Sequence, residues 1–274
     1  MANELAAADL LPQSGGRYFE PFLGSGGFYF AFARQMAWSG AVLSDINSEL
    51  IDCFVAVRDE PRELWAQVST LMHDWQASAD KRAYYERTRA VEPSELLPVP
   101  TAARFLFLNS LCFNGLYRTN AAGKFNVPMG RRRVPPSLTE ESLLDASHGL
   151  QGTELLHSDY REAVATAGAG DFVVMDPPYF AGATARAFTQ YNGTRFGLED
   201  LESVREVFCA LSERGCAVVL TQARAAVAHF SDIATRTLEL RRKGRIAANV
   251  ESRRSVSEFA FLNYDPETGE VQRG

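Results

Sequence analysis

Short apolar runs alternate with longer amphipathic segments along most of the chain. The short runs lack strict polar alternation and end in glycine, proline or charged residues, as is typical of strands that are covered on both faces. They predict seven strands, at residues 17–22, 41–45, 154–159, 171–176, 216–222, 235–240 and 257–264. The sequence therefore favours a sheet that is buried between helices.

Amphipathic segments at residues 28–39, 47–59 and 198–215 predict helices that connect these strands. Strands and helices that alternate in this way indicate an α/β fold with a doubly wound, mostly parallel sheet of seven strands. The last two predicted strands follow one another without room for a long helix. We therefore expect an antiparallel hairpin at the end of the sheet.

The alternation of strand and helix stops between about residues 58 and 148. This stretch contains helical segments, a proline-rich turn at 92–100 and a basic run, but no repeated strand-helix unit. We predict that residues 58–148 form a smaller, mainly helical inserted domain. Residues 1–57 and 149–274 would together form the sheet domain.

Composition and cysteine usage restrict the class of protein. Of the 274 residues, 46% are apolar and 23% are charged, which is ordinary for a globular protein. No apolar run approaches the roughly 20 residues of a membrane span, and the amino terminus has no signal-peptide pattern, so we expect a cytoplasmic protein without membrane contact. The four cysteines form no CxxC pair and the four histidines are scattered, so no metal site is predicted.

Charge is distributed unevenly, although the net charge of −6 by itself argues against a nucleic-acid partner. No acidic residue lies between Glu95 and Glu140, whereas six basic residues do, so this segment carries +6 and the remaining residues carry −12. A local basic surface can bind phosphates despite an acidic total, because charges act over only ~8 Å in physiological salt. The alternative is a solvated loop.

The segment FEPFLGSGGFYF at 19–30 places three glycines between a predicted strand and a predicted helix. Glycines there let backbone amides approach a ligand closely, although such turns also occur for geometry alone. Asp45 ends the next strand, where a carboxylate accepts hydrogen bonds from ribose hydroxyls in nucleotide sites. Asp159 ends the third strand at the same predicted edge, but helix capping would also explain it.

The segment VVMDPPYF at 173–180 ends the fourth predicted strand at this edge too. Pro177 and Pro178 have no backbone N–H, so the carbonyls there face no competing donor. Asp176 and the Pro177 carbonyl would then accept the two hydrogens of an exocyclic amine whose ring stacks on Tyr179. A plain turn would also explain Asp-Pro-Pro, but not the tyrosine and the upstream acids.

Together these motifs resemble those of the Dam-type (D12 class) DNA adenine-N6 methyltransferase family. FEPFLGSGG is similar to the family's S-adenosylmethionine loop, DPPY to its catalytic motif, and FNGLYRTNAAGKFNVPMGR at 113–131 to its DNA-recognition hairpin. The segment at 180–200 resembles the loop after the catalytic motif, and SEFAFLNY resembles the closing strand. DPPY alone also occurs in RNA and protein methyltransferases, but FNGLYR with GKFNVPMG does not.

The resemblance implies a methyltransferase sheet and an enzyme that transfers a methyl group from S-adenosyl-L-methionine to the N6 amine of an adenine flipped out of duplex DNA. The inserted domain would recognise a short target site, for which GATC is the expected sequence. The residues implied as catalytic are Asp176, Pro177, Pro178 and Tyr179. Those implied for the methyl donor are Glu20, Pro21, Phe22, Gly24, Ser25, Gly26, Asp45, Ile46, Asp159, Tyr160 and Asp176. Those implied for DNA are Arg118, Asn120, Lys124, Asn126, Arg131, Arg132 and Arg133.

Within the DNA set, two kinds of contact are expected. Arg118 and Asn120 are candidates for base edges, because arginine binds guanine and asparagine binds adenine through paired hydrogen bonds. Lys124 and residues 131–133 are expected to contact phosphates, which position the protein without reading sequence.

The chain departs from the family pattern at two places. The family's opening Lys-Trp-x-Gly-Gly-Lys type segment is not found ahead of FEPF, so one wall of the donor pocket is expected to be absent or supplied differently, for example by a partner chain. Thr221 and Gln222 stand where the family usually has Ser-Asn, which is expected to change donor affinity. A DNA-binding protein with weak or lost catalysis and an RNA adenine methyltransferase are the alternatives.

Overall fold

The structure, a computed structural model, describes residues 11–12, 16–32, 35, 38–120, 124–131, 138–180, 182, 190–191, 194–242 and 256–272. They divide into two compact units. The first unit comprises the described parts of Met1–Ile46, Gly152–Gln190 and Arg195–Gly274, and the second consists mainly of Asn47–Gln151. The compact helical unit begins at Asn47, because the helix that follows Asn47 packs within it, and the domain bounds at residues 58 and 148 stay a prediction.

The first unit is built on a sheet of seven strands in the order β3-β2-β1-β4-β7-β9-β8. The strands of the chain are β1 (Tyr18–Glu20), β2 (Ala41–Asp45), β3 (Thr153–His157), β4 (Phe172–Met175), β5 (Gln190–Tyr191), β6 (Thr194–Arg195), β7 (Ala217–Ala223), β8 (Arg236–Arg242) and β9 (Val256–Leu262). Strands β1, β2, β3, β4 and β7 are parallel, whereas β9 is antiparallel to both β7 and β8. The predicted α/β class and the terminal antiparallel hairpin are confirmed.

The strand order reverses between β1 and β4, since β2 and β3 lie on one side of this pair and β7 on the other. In open parallel sheets the crevice at such a reversal, at the carboxyl ends of the strands, is where ligands bind. The glycine turn follows β1 and the DPPY segment follows β4. The fold therefore brings the two main motifs of the sequence to the same edge.

The described helices are α1 (Gly27–Phe32), α2 (Ser48–Asp59), α3 (Pro61–Ala77), α4 (Lys81–Ala90), α5 (Pro98–Leu111), α6 (Glu140–Leu150), α7 (Tyr160–Ala163), α8 (Leu198–Glu213) and α9 (Val227–Phe230). Helix α1 ends at Phe32, and most of the rest of the helix predicted at 28–39 lies outside the described residues. No helix among the described residues has the length and apolar composition needed to cross a membrane.

Helix α8 shows how the sequence pattern builds the core of the first unit. Its buried residues Leu201, Val204, Phe208 and Leu211 recur at helical spacing and pack in one cluster with the interior of β4 and β7. Each such side chain contributes about 1.5–3 kcal/mol by leaving water. This core holds β4 and β7 rigidly side by side, which fixes what their carboxyl ends present.

The second unit is a helical cluster around α5. Helix α5 has buried residues on several of its faces and packs against α2, α3 and α4. Helix α6 packs against α2 and α3. Arg104 on α5 is buried, donates to the carbonyls of Thr88 and Arg89 at 3.1 and 2.8 Å, and pairs with Glu49 at 3.3 Å. One of the six basic charges counted from the sequence therefore stabilises the interior of this unit.

Candidate active site

The glycine turn after β1 is closed by the carboxylate that ends β2. The Gly24 N–H donates to Asp45 Oδ2 at 3.0 Å, and the Leu23 N–H donates to the Ser44 carbonyl at 2.8 Å. Gly24 and Gly26 have φ values of +49° and +68°, in the left-handed region that favours glycine. Gly24 and Gly26 therefore form a turn ahead of α1, and Asp45, which is almost fully buried, accepts a hydrogen bond from it.

Glu20 is buried where β1 ends, and its surroundings favour the protonated carboxyl, as its raised pKa indicates. The Tyr18 hydroxyl donates to Glu20 Oε2 at 2.6 Å. Burial raises the pKa of Glu20 to about 8, and the nearby Asp176 and Asp45 carboxylates add to the rise while the bond from Tyr18 opposes it. Three carboxyl groups from β1, β2 and the end of β4 therefore lie close enough to influence one another, which suits a ligand carrying positive charge.

The third strand contributes an aromatic wall and a capped helix. The ring of Tyr160 stacks on Phe22 with centroids 4.9 Å apart, and its hydroxyl donates to Ser203 Oγ at 2.9 Å. Asp159 accepts from the Arg161 N–H at 2.9 Å and pairs with the Arg161 guanidinium at 3.2 Å. The helix-capping alternative for Asp159 is thus observed, and a ligand contact by Asp159 remains a prediction.

Ile46 and Ser25 are the remaining residues at this edge that are predicted to bind the methyl donor. Ile46 directly follows Asp45 and has 52% of its surface exposed, which is unusual for a large aliphatic side chain at the end of a buried strand. Ser25 is exposed at the glycine turn, whereas Pro21 is buried. The edge therefore presents an open apolar surface beside an acidic one.

The DPPY segment leaves β4 with its carboxylate tied to two hydroxyl groups. Asp176 Oδ1 accepts hydrogen bonds from the Tyr179 hydroxyl at 3.3 Å and from the Thr221 hydroxyl. Burial raises the pKa of Tyr179, and the Asp176 and Glu258 carboxylates raise it further, so the phenol keeps its proton. Asp176 and Tyr179 are therefore brought together as predicted from the motif, and Asp176 is held in one orientation.

Sequence reasoning did not find the role of Thr221 and Gln222 at the end of β7. Both are fully buried, and their side chains form hydrogen bonds with the DPPY segment, with Phe180 directly after it and with the N–H of Ala223. The substitution of the usual Ser-Asn pair was expected to affect the methyl donor, but the contacts lie with the acceptor motif. A signal was available, because two polar residues follow an apolar run near the end of β7, just as Asp176 directly follows β4.

The predicted recognition segment forms a short hairpin in the second unit. Thr119 and Phe125 pair across it, and the Asn126 N–H donates to the Arg118 carbonyl at 3.0 Å. Arg118 Nε donates to Asn126 Oδ1 at 2.8 Å, so two side chains that are predicted to contact DNA are hydrogen-bonded to each other. Residues 121–123 at the tip lie outside the described residues.

Other predicted DNA contacts have different surroundings. Asn120 Oδ1 accepts from the Lys124 N–H at 3.1 Å, so this side chain helps to close the hairpin. The Lys124 ammonium forms an ion pair with Glu92. Arg131 is exposed, and Arg132 and Arg133 lie outside the described residues.

The turn that leads into the hairpin exposes apolar groups that the sequence reasoning did not single out as ligands. Phe113 and Leu116 have 47% and 49% of their surface exposed, and Asn114 between them has a φ of +58°. Asparagine is among the few side chains that tolerate this left-handed conformation. The backbone therefore holds two apolar side chains outward beside polar ones.

A pocket of about 480 Å³ lies beside the hairpin within the second unit. Charged residues in its lining occur as pairs, namely Arg104 with Glu49, Arg89 with Glu86 and Lys124 with Glu92. Because acids balance bases, these pairs give the pocket no net attraction for a phosphate. Among the described residues, no group of three His, Cys, Asp or Glu side chains is arranged to hold a metal ion.

Comparison with known proteins identifies the family of this chain. Residues 7–244 match the family described as D12 class N6 adenine-specific DNA methyltransferase. A Type II methyltransferase of Lactococcus lactis subsp. cremoris, M1.LlaDCHI, is 32% identical over 263 residues, which cover 93% of this chain and 89% of that protein.

Two further relatives come from distant organisms. The Type II methyltransferase M.MjaIII of Methanocaldococcus jannaschii is 30% identical over 210 residues, covering 75% of this chain and 73% of that protein. The DNA adenine methylase of Escherichia coli is 28% identical over 249 residues, covering 90% and 86%. The family match spans most of the chain, both compact units included. The chain belongs to the family of D12 class N6 adenine-specific DNA methyltransferases.

Proposed function

We propose that this methyltransferase uses S-adenosyl-L-methionine as its donor and methylates the N6 amine of an adenine flipped out of duplex DNA at a short site, with GATC as the candidate sequence. The observation that carries the proposal is the convergence of Glu20, Asp45 and Asp176 at one sheet edge, beside a glycine turn and the DPPY segment. When bound, the donor supplies a methyl group on a positively charged sulfonium.

The residues of the donor half fit such a molecule. Gly24 and Gly26 lack side chains at a left-handed turn, so a ligand can approach the backbone closely. The Asp45 carboxylate is an acceptor suited to ribose hydroxyls, and the exposed Ile46 offers an apolar face for an adenine ring. Pro21, Phe22, Ser25, Asp159 and Tyr160 would complete the wall of this pocket.

In the acceptor half, the chain binds and orients an amine rather than providing strong acid or base chemistry. Asp176 and the Pro177 carbonyl would accept the two N6 hydrogens, which leaves the nitrogen lone pair directed at the methyl group. The Tyr179 phenol, which keeps its proton, would stack on the purine. The bound donor would supply the methyl group and leave as a neutral thioether, and the proton that N6 releases would pass to solvent water by way of the Asp176 carboxylate. Orientation at about 3–3.5 Å is the main contribution required of the protein.

The hairpin would supply recognition of duplex DNA. Asn126 holds the plane of the Arg118 guanidinium by its contact at 2.8 Å, and a fixed arginine plane is what a paired contact to guanine requires. Asn120, Lys124 and residues 131–133 would add base or phosphate contacts. The exposed Phe113 and Leu116 suit apolar contact with unstacked bases.

The test is transfer of isotope-labelled methyl from S-adenosyl-L-methionine to unmethylated duplexes that contain GATC, to matched duplexes with the site scrambled, and to structured RNA. We expect N6-methyladenine in the first duplex alone. No transfer at saturating donor would overturn the proposal, and transfer to RNA in preference to DNA would replace the substrate. Sequencing of modified bases in DNA from a host that expresses the chain would identify the target, whether or not it is GATC.

A further inference from the structure

The end of β7 places two consecutive buried polar side chains against the catalytic loop. Thr221 and Gln222 both have 0% of their surface exposed. Successive residues of a strand point to opposite faces of the sheet, so the two side chains reach the loop from different sides. Together they make hydrogen bonds to Asp176, Pro178 and Phe180.

Thr221 acts on the carboxylate. Met175 pairs with Leu220 in the parallel register, so Asp176 and Thr221 are the next neighbours across the two strands. The Thr221 hydroxyl donates to Asp176 Oδ1, which also accepts from Tyr179. Because two hydroxyl groups donate to the same oxygen, the carboxylate is held in one rotation about its Cβ–Cγ bond.

Gln222 acts on the backbone of the loop. Its Nε2 donates to the Pro178 carbonyl at 3.0 Å, while its Oε1 accepts from the N–H groups of Phe180 and Ala223 at 2.9 and 3.2 Å. The carboxamide therefore uses both of its ends. Among the described residues the Pro177 carbonyl makes no such bond, and within them it is the Pro178 carbonyl of this consecutive pair that accepts from a side chain.

We propose that Thr221 and Gln222 are positioning residues of the acceptor site: Thr221 orients the Asp176 carboxylate, and Gln222 occupies the Pro178 carbonyl so that the Pro177 carbonyl faces the target amine. This inference rests on the proposed function, since it assigns the geometry that N6 transfer requires. A misplacement of about 1 Å in such a site can lower the rate about 100-fold. The effect belongs to the chemical step and to the acceptor rather than to the methyl donor.

The experiment compares isosteric variants in steady-state assays with labelled donor and the target duplex. Gln222→Glu keeps the size of the side chain and its acceptor but removes the donor to Pro178. Thr221→Val removes the hydroxyl at constant shape, and Thr221→Ser restores it. We expect kcat to fall about 100-fold for Gln222→Glu and at least about 10-fold for Thr221→Val, with KM for the donor within about threefold and Thr221→Ser near wild type.

Asn263 supplies the matched control for loss of a buried carboxamide. It lies near the start of β7, accepts from the Val218 N–H at 2.7 Å and donates to Ser212 Oγ and the Cys216 carbonyl at 2.8 and 2.9 Å. Asn263→Asp removes a donor from an equally buried network far from the acceptor motif along the strand. It should lower the melting temperature in the same way as Gln222→Glu, but kcat of the folded enzyme should stay within about threefold.

The outcomes separate the inference from the proposed function. An active wild type whose kcat survives Thr221→Val and Gln222→Glu, or whose loss appears as a raised KM for the donor, overturns the inference alone. An equal loss of kcat in Asn263→Asp also overturns it, because the effect would then be general to buried amides. A wild type that transfers no methyl overturns the proposed function, and this inference with it.

Discussion

The two compact units handle their polar functional groups in different ways. In the sheet unit several of the implicated polar groups are buried and hydrogen-bonded to neighbours, as in the bond from Gly24 to Asp45 and the bonds of Gln222 to the DPPY loop. In the helical unit the hairpin groups are more exposed and bind each other, as in Arg118 with Asn126 and the ion pair of Lys124 with Glu92. One set has its hydrogen bonds in place without a ligand, and part of the other would have to exchange partners to contact DNA as proposed.

The difference follows from the tasks assigned to the two units. A group that stabilises a transition state works best when its geometry is fixed in advance, because no reorganisation is then needed during reaction. A group that contacts a phosphate can form an ion pair within the protein and change partners at little cost, because exposed ion pairs contribute only about 0–1 kcal/mol. Substitutions should therefore have large effects in the sheet unit and graded ones in the hairpin.

The largest effect is expected from Asp176→Asn. The change preserves shape but replaces one acceptor oxygen by a donor, which opposes the target amine, so kcat should fall by at least about 100- to 1,000-fold. Labelled-methyl assays at saturating donor measure this, and binding of duplex DNA should persist. Asp232→Asn, at an exposed carboxylate paired with Arg205 at 2.6 Å, is the control and should retain activity. Retained kcat in Asp176→Asn would contradict the proposed acceptor site.

The next effect concerns stability and its dependence on pH. The pKa of Glu20 is raised by burial to about 8, whereas an unfolded glutamate has its ordinary value near 4.5. The folded protein therefore holds this proton between about pH 4.5 and 8 while the unfolded chain has released it, so Glu20 lowers the free energy of unfolding as pH rises through this window. Glu20→Gln removes this pH-dependent loss of stability. Its free energy of unfolding should exceed that of wild type by on the order of a few kcal/mol at pH 8 and should equal it at about pH 4.5.

Urea denaturation of both proteins at pH 5, 6.5 and 8 measures the Glu20 effect. The difference between the two proteins isolates this group from others that titrate in the same range. If the free energies of unfolding of the two proteins change in parallel with pH, Glu20 loses its proton at its ordinary pKa. The contacts around Glu20 would then not raise its pKa.

A smaller effect is expected in the hairpin. Arg118→Ala should weaken binding of the target duplex by about 1–3 kcal/mol, roughly 5- to 150-fold, and should leave binding of a scrambled duplex nearly unchanged. Asn126→Ala should move affinity in the same direction by less, since it removes only the support of the arginine plane. Competition in fluorescence anisotropy compares the duplexes. Equal losses on both duplexes would assign Arg118 to phosphate contact instead.

The smallest effect is expected from the ion pair of the hairpin. Glu92→Gln releases Lys124 and should strengthen binding to any duplex by about two- to fivefold, because no acid then competes with phosphate. Lys124→Ala should weaken all duplexes alike and reduce the slope of log affinity against log salt by about 1. Anisotropy titrations from low to moderate salt test both. An unchanged salt slope in Lys124→Ala would exclude a phosphate contact by this residue.

The fold was readily predicted because its strands are buried on both faces and therefore read as apolar runs. The predicted run at 41–45 coincides with β2, and the run at 171–176 contains β4 and extends one residue beyond it at each end. The boundary of the helical unit was less accessible, since α2 reads as a connecting helix in sequence. Only its packing against α5 and α6 assigns it to the second unit.

The candidate site was predictable where residues are close in sequence. The glycine turn and Asp176 with Tyr179 belong to single motifs, so their proximity could be predicted, while their chemical roles stay predictions. Contacts between distant segments could not, because sequence gives no distance between Gln222 and Pro178 or between Arg104 and Glu49. Arg104 is an example, since its charge was counted toward a basic surface although the side chain is buried.

The direction of β9 has a consequence for synthesis of the protein on the ribosome. Since β9 is antiparallel to β7, its early residue Glu258 lies opposite Ala223, at the edge where the parallel strands end, and it is buried there near Tyr179. A nascent chain that has not yet released Val256–Leu262 leaves β7 as an unpaired edge of the sheet. The acceptor pocket therefore cannot assemble until residues 256–262 have left the ribosome and paired with β7.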